Sequence, residues 1–228
     1  MRTALTVTTE PNGEPTTVEL VKQNCRIDND ADDALLSGYL MAARIVAEDY
    51  LSRALLTQTV LWTVRPSSMM HSEQTRLRGP LQLPRAPVQS IVSVTTLDNW
   101  GNATAVQRAA LPLTPPATSA ADAFQHIGPL RGPILGYVAD LALEPATLHI
   151  GRETVLSGGF AVQDTMLQHI QVSMIVGYGA AANVPATIVH AIMMMTAFLY
   201  EHRGDAGGTM PEAPERLLDR SRLQFLGG

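Results

Sequence analysis

The chain has 228 residues, of which 46% are hydrophobic and 16% charged, and its formal net charge is −5. This composition excludes a disordered chain and a membrane protein. A single cysteine, Cys25, excludes an internal disulfide and a cysteine-rich zinc site. The acidic balance also argues against a protein that grips nucleic acid through a concentrated basic face. Residues 1–9 lack a charged leader and an apolar signal core, so we expect no export.

The first quarter of the chain predicts an arm and two helices. Residues 1–16 are expected to form an extended arm, followed by a short helix over 17–24 with Thr17 as its N-cap. Apolar side chains then recur at helical spacing over 32–52, which predicts a long amphipathic helix. The acidic run Asp28–Asp33 lacks the glycine and the glutamate that a calcium loop needs, so we predict that it serves the helix N-terminus and binds no metal.

The middle of the chain has the composition and period of β-strands. Strands are predicted over residues 57–64, 77–83, 88–97, 104–107, 134–138, 146–150 and 166–176. Asp, Asn and Gly at 98–102 predict a hairpin turn. Five prolines within 109–133 predict a long loop.

A second long helix is predicted from Pro185 to Arg203, and it is apolar on nearly every side. The apolar run is too short to span a bilayer, so its partner must be protein, and we favour neighbouring subunits. We expect core or subunit-packing roles for Ile188, Ile192, Met194, Met195, Phe198, Leu199 and Tyr200.

Together these elements predict an α+β fold. An antiparallel helical core is expected from the long N-terminal helix and the buried C-terminal helix, with an inserted antiparallel β-sheet or small β-sandwich and a C-terminal docking tail. The predicted boundaries are 1–16 for the arm, 17–55 plus 183–204 for the helical core, 56–182 for the β region and 205–228 for the tail.

Four stretches, in this order, resemble the head-tail connector (adaptor) family of tailed bacteriophages and gene transfer agents. They are Val21–Cys25 with Arg26–Asp30, then Arg53–Thr59, then Leu83–Val94, and finally Gly177–Gly179 with Val184, Pro185, Ile188 and Leu199–Arg203. The likeness covers residues 17–108 and 166–204.

The resemblance implies a structural virion protein without enzymatic chemistry, cofactor or metal. It implies a ring, usually of twelve subunits, that lies beneath the portal, joins the DNA-filled head to the tail and continues the DNA channel. The implied partners are other copies of the chain, the portal protein and a tail-side stopper or tail terminator protein, with no membrane. Double-stranded DNA would pass without specific binding, which suits a mainly acidic chain. Such particles assemble in the bacterial cytoplasm.

The segment after the glycine-rich break at 204–208 is too apolar for a solvated end and too short for a core. It is expected to fold on binding, and the resemblance supplies the portal as its partner. The predicted docking residues are Arg216, Leu217, Leu218, Arg220, Arg222, Phe225 and Leu226. The alternative is that this segment packs back onto its own subunit.

Two other classes of function remain open. A monomeric module could hold a small ligand in the β region 56–176. An enzyme is the weaker alternative: Gly177–Ala182 matches a dinucleotide fingerprint, but the helix begins only at Pro185 and no further strand follows it. The six histidines include no pair at metal-ligand spacing with a plausible third ligand.

Overall fold

The computed structural model describes residues 2–65, 81–97, 101–108, 134–152, 169–203 and 210–223. The chain forms two compact units. The β unit comprises Met1–Val7, Val60–Leu83 and Ser90–Met174, and the helical unit comprises Thr8–Thr59, Pro84–Gln89 and Ile175–Gly228. The predicted proline-rich loop 109–133 and the turn residues 98–100 lie outside the described residues.

The predicted helices are present, and with the antiparallel strands they confirm the α+β class. They are α1 (Val18–Cys25), α2 (Asp33–Leu51) and α3 (Ala186–Glu201), and a further helix, α4 (Glu212–Asp219), lies in the segment that was predicted as a docking tail. Thr17 caps α1 as predicted, because its hydroxyl accepts the N–H of Leu20 at 3.3 Å. Of the described helices, none is both long and apolar enough to cross a membrane.

Eight strands form two sheets in the described residues. They are β1 (Arg2–Thr9), β2 (Gln58–Arg65), β3 (Leu81–Gln82), β4 (Val88–Leu97), β5 (Ala103–Val106), β6 (Ile134–Asp140), β7 (Thr147–Arg152) and β8 (His169–Val176). The five-stranded sheet has the order β1-β2-β8-β4-β5, and the three-stranded sheet has the order β3-β7-β6. β1 occupies the first half of the segment that the sequence predicted as an extended arm.

β8 shows the side-chain alternation of a strand, and the pairs β4–β5 and β6–β7 are antiparallel. Along β8 every second residue is buried, as expected of a strand with its two faces in different environments. β5 pairs antiparallel with β4, with Val106 opposite Val94, as expected of the predicted hairpin. The turn residues 98–100 lie outside the described residues. β6 and β7 pair antiparallel with Asp140 opposite Thr147.

The helical unit has its own apolar core, built where α2 packs against α3. Its fully buried members include Leu36, Leu51, Ile188, Ile192, Val21 and Leu218, which come from all four helices. Burying an aliphatic side chain of this size stabilises the fold by about 1.5–3 kcal/mol. The core therefore includes α4, a helix that the sequence assigned to a separate tail.

Candidate assembly site

Three of the stretches that carry the family resemblance meet inside the helical unit. We call this meeting point the motif junction and define it as residues 53–57, 84–89 and 177–179. Main-chain hydrogen bonds join the three segments: Ala54 N to Ala86 O at 3.0 Å, Gly177 N to Pro87 O at 2.9 Å, Tyr178 N to Leu55 O at 3.2 Å and Thr57 N to Gly179 O at 3.2 Å. Backbone hydrogen bonds thus hold together residues that are far apart in sequence. These bonds depend on the backbone geometry of the three segments more than on particular side chains.

Gly177 lies at the centre of the motif junction. Its φ is 112°, a conformation that favours glycine, and an added Cβ would lie 2.1 Å from the carbonyl oxygen of Leu56. The Gly177 carbonyl accepts the side-chain amide of Gln89 at 2.8 Å, and the same amide donates to the Thr57 hydroxyl at 3.2 Å. The Gly-Tyr-Gly motif therefore provides a close backbone crossing.

Two arginines attach the motif junction to other parts of the helical unit. Arg85 donates to the Arg53 carbonyl at 3.3 Å and forms an ion pair with Asp49 near the end of α2. Arg53 donates through Nε to the Ser221 carbonyl at 2.7 Å and through Nη1 to the Tyr178 hydroxyl at 3.3 Å. These contacts link α2, the junction and the segment after α4.

A buried ion network fixes the end of α2. The Arg44 guanidinium donates to Glu14 at 2.8 Å and to Glu48 at 2.9 Å. Glu48 also accepts the N–H of Leu55 at 2.8 Å and the amide of Gln58 at 3.2 Å. Burial raises the pKa of Glu48 and of Glu14, while the Arg44 charge opposes that rise. The i,i+4 spacing of Arg44 and Glu48 could have suggested a pair, but nothing in the sequence predicted that both charges point inward.

The C-terminal helix α4 packs onto the helical unit. Leu218 is fully buried, and Leu223 is buried with its N–H donating to the Leu51 carbonyl at 2.9 Å. The Tyr50 hydroxyl donates to the carboxylate of Asp219, and this bond raises the pKa of Tyr50 to about 12. This arrangement is the one that the sequence left as its alternative for residues 210–223.

The predicted docking residues therefore divide into two groups. Leu218 belongs to the core, and Leu217 is half-buried against it. Arg216, Arg220 and Arg222 are exposed; Arg216 forms an ion pair with Glu212, and Arg222 lies over the Tyr50 ring at 4.9 Å. Phe225 and Leu226 lie outside the described residues. The exposed surface of α4 and its following turn therefore carries these three arginines together with the exposed acidic residues Glu212 and Asp219.

The residues predicted for core or subunit packing lie on different sides of α3. Ile188, Ile192 and Met195 are in the core, with Leu199 and Tyr200 half-buried against it. Met194 is half-buried, and Phe198 is half-buried with the ring of His202 stacked on it at 4.3 Å between centroids. His190 and Glu201 are exposed. One side of α3, which we call its outward side, is consequently only partly covered by the described residues.

The acidic run before α2 is engaged by cations. Lys22 pairs with Asp30 at 2.5 Å and with Asp33 at 2.9 Å. Asp32 accepts the Tyr200 hydroxyl at 2.6 Å and the Arg203 guanidinium at 2.9 Å, and these bonds hold the pKa of Asp32 below its usual value. Within the described ranges, no group of three or more potential ligands is placed to hold a metal ion.

Residues 15–97 match the profile of a family described as the phage gp6-like head-tail connector protein. This segment is therefore similar to a gp6-like head-tail connector domain. This connector domain contains α1, α2, β2, β3 and β4, together with two of the three segments of the motif junction. The profile describes a structural connector, in line with the structural role that the sequence predicted. No curated protein matches the sequence significantly.

Solved structures extend the likeness from the connector domain to the whole chain. A chain from the virion of a native gene transfer agent particle has a TM-score of 0.65 at 20% identity, with 98% of each chain covered. A chain from the neck of an empty gene transfer agent particle, computed with C6 symmetry, has a TM-score of 0.65 at 21% identity, covering 99% of this chain and 98% of that one. A chain from the neck of the native gene transfer agent particle, computed with C12 symmetry, has a TM-score of 0.56 at 20% identity, covering 97% of this chain and 98% of that one. At these identities the likeness shows the fold.

Proposed function

We propose that the protein is a structural virion component, an adaptor that forms a ring beneath the portal in the neck of a tailed phage or gene transfer agent particle. The observation that carries this proposal is the combination of the connector domain at residues 15–97 with a fold that matches neck chains over 97–99% of this chain's length. The C12 symmetry of one of those necks supports a ring of twelve copies.

The charge of the chain supports a role in continuing the DNA channel. Each copy has a formal charge of −5, and a ring multiplies that charge by its copy number. The resulting field repels phosphate, so double-stranded DNA passes without being held. The ring is then a conduit between the DNA-filled head and a stopper or tail terminator on its tail side.

The motif junction suits a subunit that transmits load between head and tail. Its three segments are tied by main-chain hydrogen bonds, and its arginines are engaged by Asp49, Ser221 and Tyr178. These contacts make a rigid frame and leave the described polar groups of the junction occupied by structural bonds. A rigid frame positions interaction surfaces on the rest of the unit.

Docking to the portal is proposed for the exposed arginines of α4 and of the turn that follows it. Arg216, Arg220 and Arg222 can pair with portal carboxylates, and Phe225 and Leu226 follow them as apolar anchors. Leu218 and Leu223 are occupied in the core, so they hold α4 in place and leave its other side for the partner.

Removing the gene from a particle-producing strain tests the proposed role. We expect DNA-filled heads and free tails that do not join, and restoration of joined particles by the wild-type gene. Arg220→Glu should restore joining poorly, whereas Arg108→Glu, an exposed arginine of the β unit, should restore it fully. Normal joining without the gene would contradict the role; equal joining by both variants would contradict only the docking surface.

A further inference from the structure

We propose that the outward face of α2 is the surface through which one copy of the chain contacts the next copy in the ring. This inference rests on the proposed function and adds the surface and its occupant. We call this face the outer stripe; its members are Leu35, Gly38, Met41, Ala42, Ile45 and Val46.

The outer stripe is apolar and exposed. Met41 is 50% exposed, and Ile45 and Val46 are each 45% exposed. At 100° per residue these positions lie opposite the core positions Leu36, Leu40, Ala43 and Ala47, which are buried. A helix on the surface of a monomer normally shows the reverse, with polar side chains outward.

The charged residues of α2 are also placed opposite to the usual pattern of a surface helix. Between Asp33 and Asp49, α2 contains only two charged side chains, Arg44 and Glu48, and both are buried in their ion network. The helix therefore places its charges inside and its Met, Ile and Val outside. A contiguous exposed apolar stripe of this kind suits contact with another protein.

Small residues in the outer stripe allow a partner to approach closely. Gly38 and Ala42 are four residues apart on the stripe, and a Cβ added at Gly38 would meet nothing within 4 Å. The subunit's own fold thus does not require glycine here. Glycine in the middle of a helix costs about 0.5–1 kcal/mol relative to alanine, a cost that close contact with a neighbour would offset.

A second copy in a ring fits this surface better than a partner in an isolated dimer. From Leu35 to Val46 the stripe is about 17 Å long and offers on the order of 200 Å² at the width of one helix. A stable partner buries about 800 Å² on each side, so the stripe alone holds no dimer. In a closed ring each copy has two neighbours, and weak contacts of this kind support one another.

A ring also needs two different complementary surfaces on each copy. The core side of α2 packs against the core side of α3, so the outer stripe and the outward side of α3 face away from each other within the helical unit. The outward side includes the exposed His190 and Glu201 and the half-buried Met194. Head-to-tail contact between the outer stripe of one copy and this side of the next generates a ring.

Three variants test the surface. Val46→Glu places a charge in the outer stripe, and Val92→Glu makes the same change at a β4 valine that is 58% exposed. Gly38→Leu fills the open position and improves helix propensity. For each purified variant we would measure the melting temperature, and on portal-bearing heads we would count rings by electron microscopy. We expect all three to melt close to wild type, and Val46→Glu and Gly38→Leu to lose at least tenfold in ring occupancy while Val92→Glu keeps it.

The possible contrary results are distinguishable. If the wild-type chain forms rings and Val46→Glu and Gly38→Leu form them equally, the inference is overturned and the proposed function stands. If the wild-type chain never forms rings on heads, the ring itself is wrong. A large loss of melting temperature in Val46→Glu and Gly38→Leu would mean that the outer stripe is covered by its own chain, and this result would overturn the inference. Flotation of wild type, but not Val46→Glu, with anionic phospholipid vesicles would assign the stripe to a lipid surface and overturn the inference.

Discussion

The backbone of Gly177 crosses that of Leu56 so closely that a Cβ on Gly177 would lie 2.1 Å from the Leu56 carbonyl oxygen. This crossing joins two stretches that carry the family resemblance and are separated by more than a hundred residues. Because the obstacle is backbone, no side-chain rearrangement can relieve it. The glycine is therefore a requirement of the fold and not of a ligand.

Gly177→Ala should destabilise the protein by about 3 kcal/mol or more, because it adds both a steric clash and a strained positive φ. Gly38→Ala is the matched control, since its site is open and helical; it should raise the stability of the isolated subunit by about 0.5–1 kcal/mol. Urea unfolding of both variants measures the two effects. Equal stabilities would contradict the geometry of the motif junction.

Met194 and Met195 are adjacent in α3 but lie in different environments. Met195 is 4% exposed in the core, and Met194 is half-buried on the outward side of α3. Met195→Asp should cost about 3 kcal/mol or more, because it buries an unpaired charge. Met194→Asp should cost far less in the isolated subunit and should reduce ring formation. Thermal unfolding compares the pair, and a larger loss for Met194→Asp would reverse our assignment of the two sides.

Arg44→Met should destabilise the helical unit by about 3 kcal/mol, because Glu48 would remain buried without its counter-charge. Adding Glu48→Gln should recover part of the loss, since the amide oxygen can still accept the Leu55 N–H. The pKa of Glu48 is raised by burial, so the penalty in Arg44→Met should shrink as the pH falls and the carboxyl is protonated. Urea unfolding at several pH values checks this; a pH-independent loss would show that the charge is not its cause.

The Tyr50–Asp219 bond predicts a measurable titration. The pKa of Tyr50 is raised to about 12, so the stabilisation from its donated proton is complete below the ordinary value of about 10 and is lost as the pH rises through 12. Asp219→Asn should move this pKa back towards 10. A difference ultraviolet titration of wild type and variant, with Tyr50→Phe to assign the signal, would detect the shift. Identical titrations would mean that α4 does not dock on α2 in solution.

The elements that the sequence predicted well are those with local signals. β4 has the predicted bounds, and Thr17 caps α1, because residue alternation and capping depend on near neighbours. β1 was predicted only as an extended arm, since its strand character depends on pairing with β2, about fifty residues away. The motif junction was likewise visible as separate stretches, but their meeting depends on long-range backbone contacts.

The face that α2 turns towards the core and the position of α4 were the hardest features to predict. Arg44 and Glu48 are charged, so a helical pattern places them in solvent, whereas the partner Glu14 and the Leu55 N–H bring them inside. Leu217 and Leu218 looked too few to form a core of their own. They pack instead on a core that α2 and α3 already supply. Both features depend on tertiary contacts with distant residues, which the periodicity of the local sequence does not reveal.

The most direct test of the account is cryo-electron microscopy of the neck, with the subunit located by a tag fused after Gly228. We expect the tagged chain in a single closed ring between portal and tail, with twelve copies and the outer stripe of each α2 against the neighbouring copy. A subunit found only as a monomer, or placed elsewhere in the particle than the neck, would contradict the account.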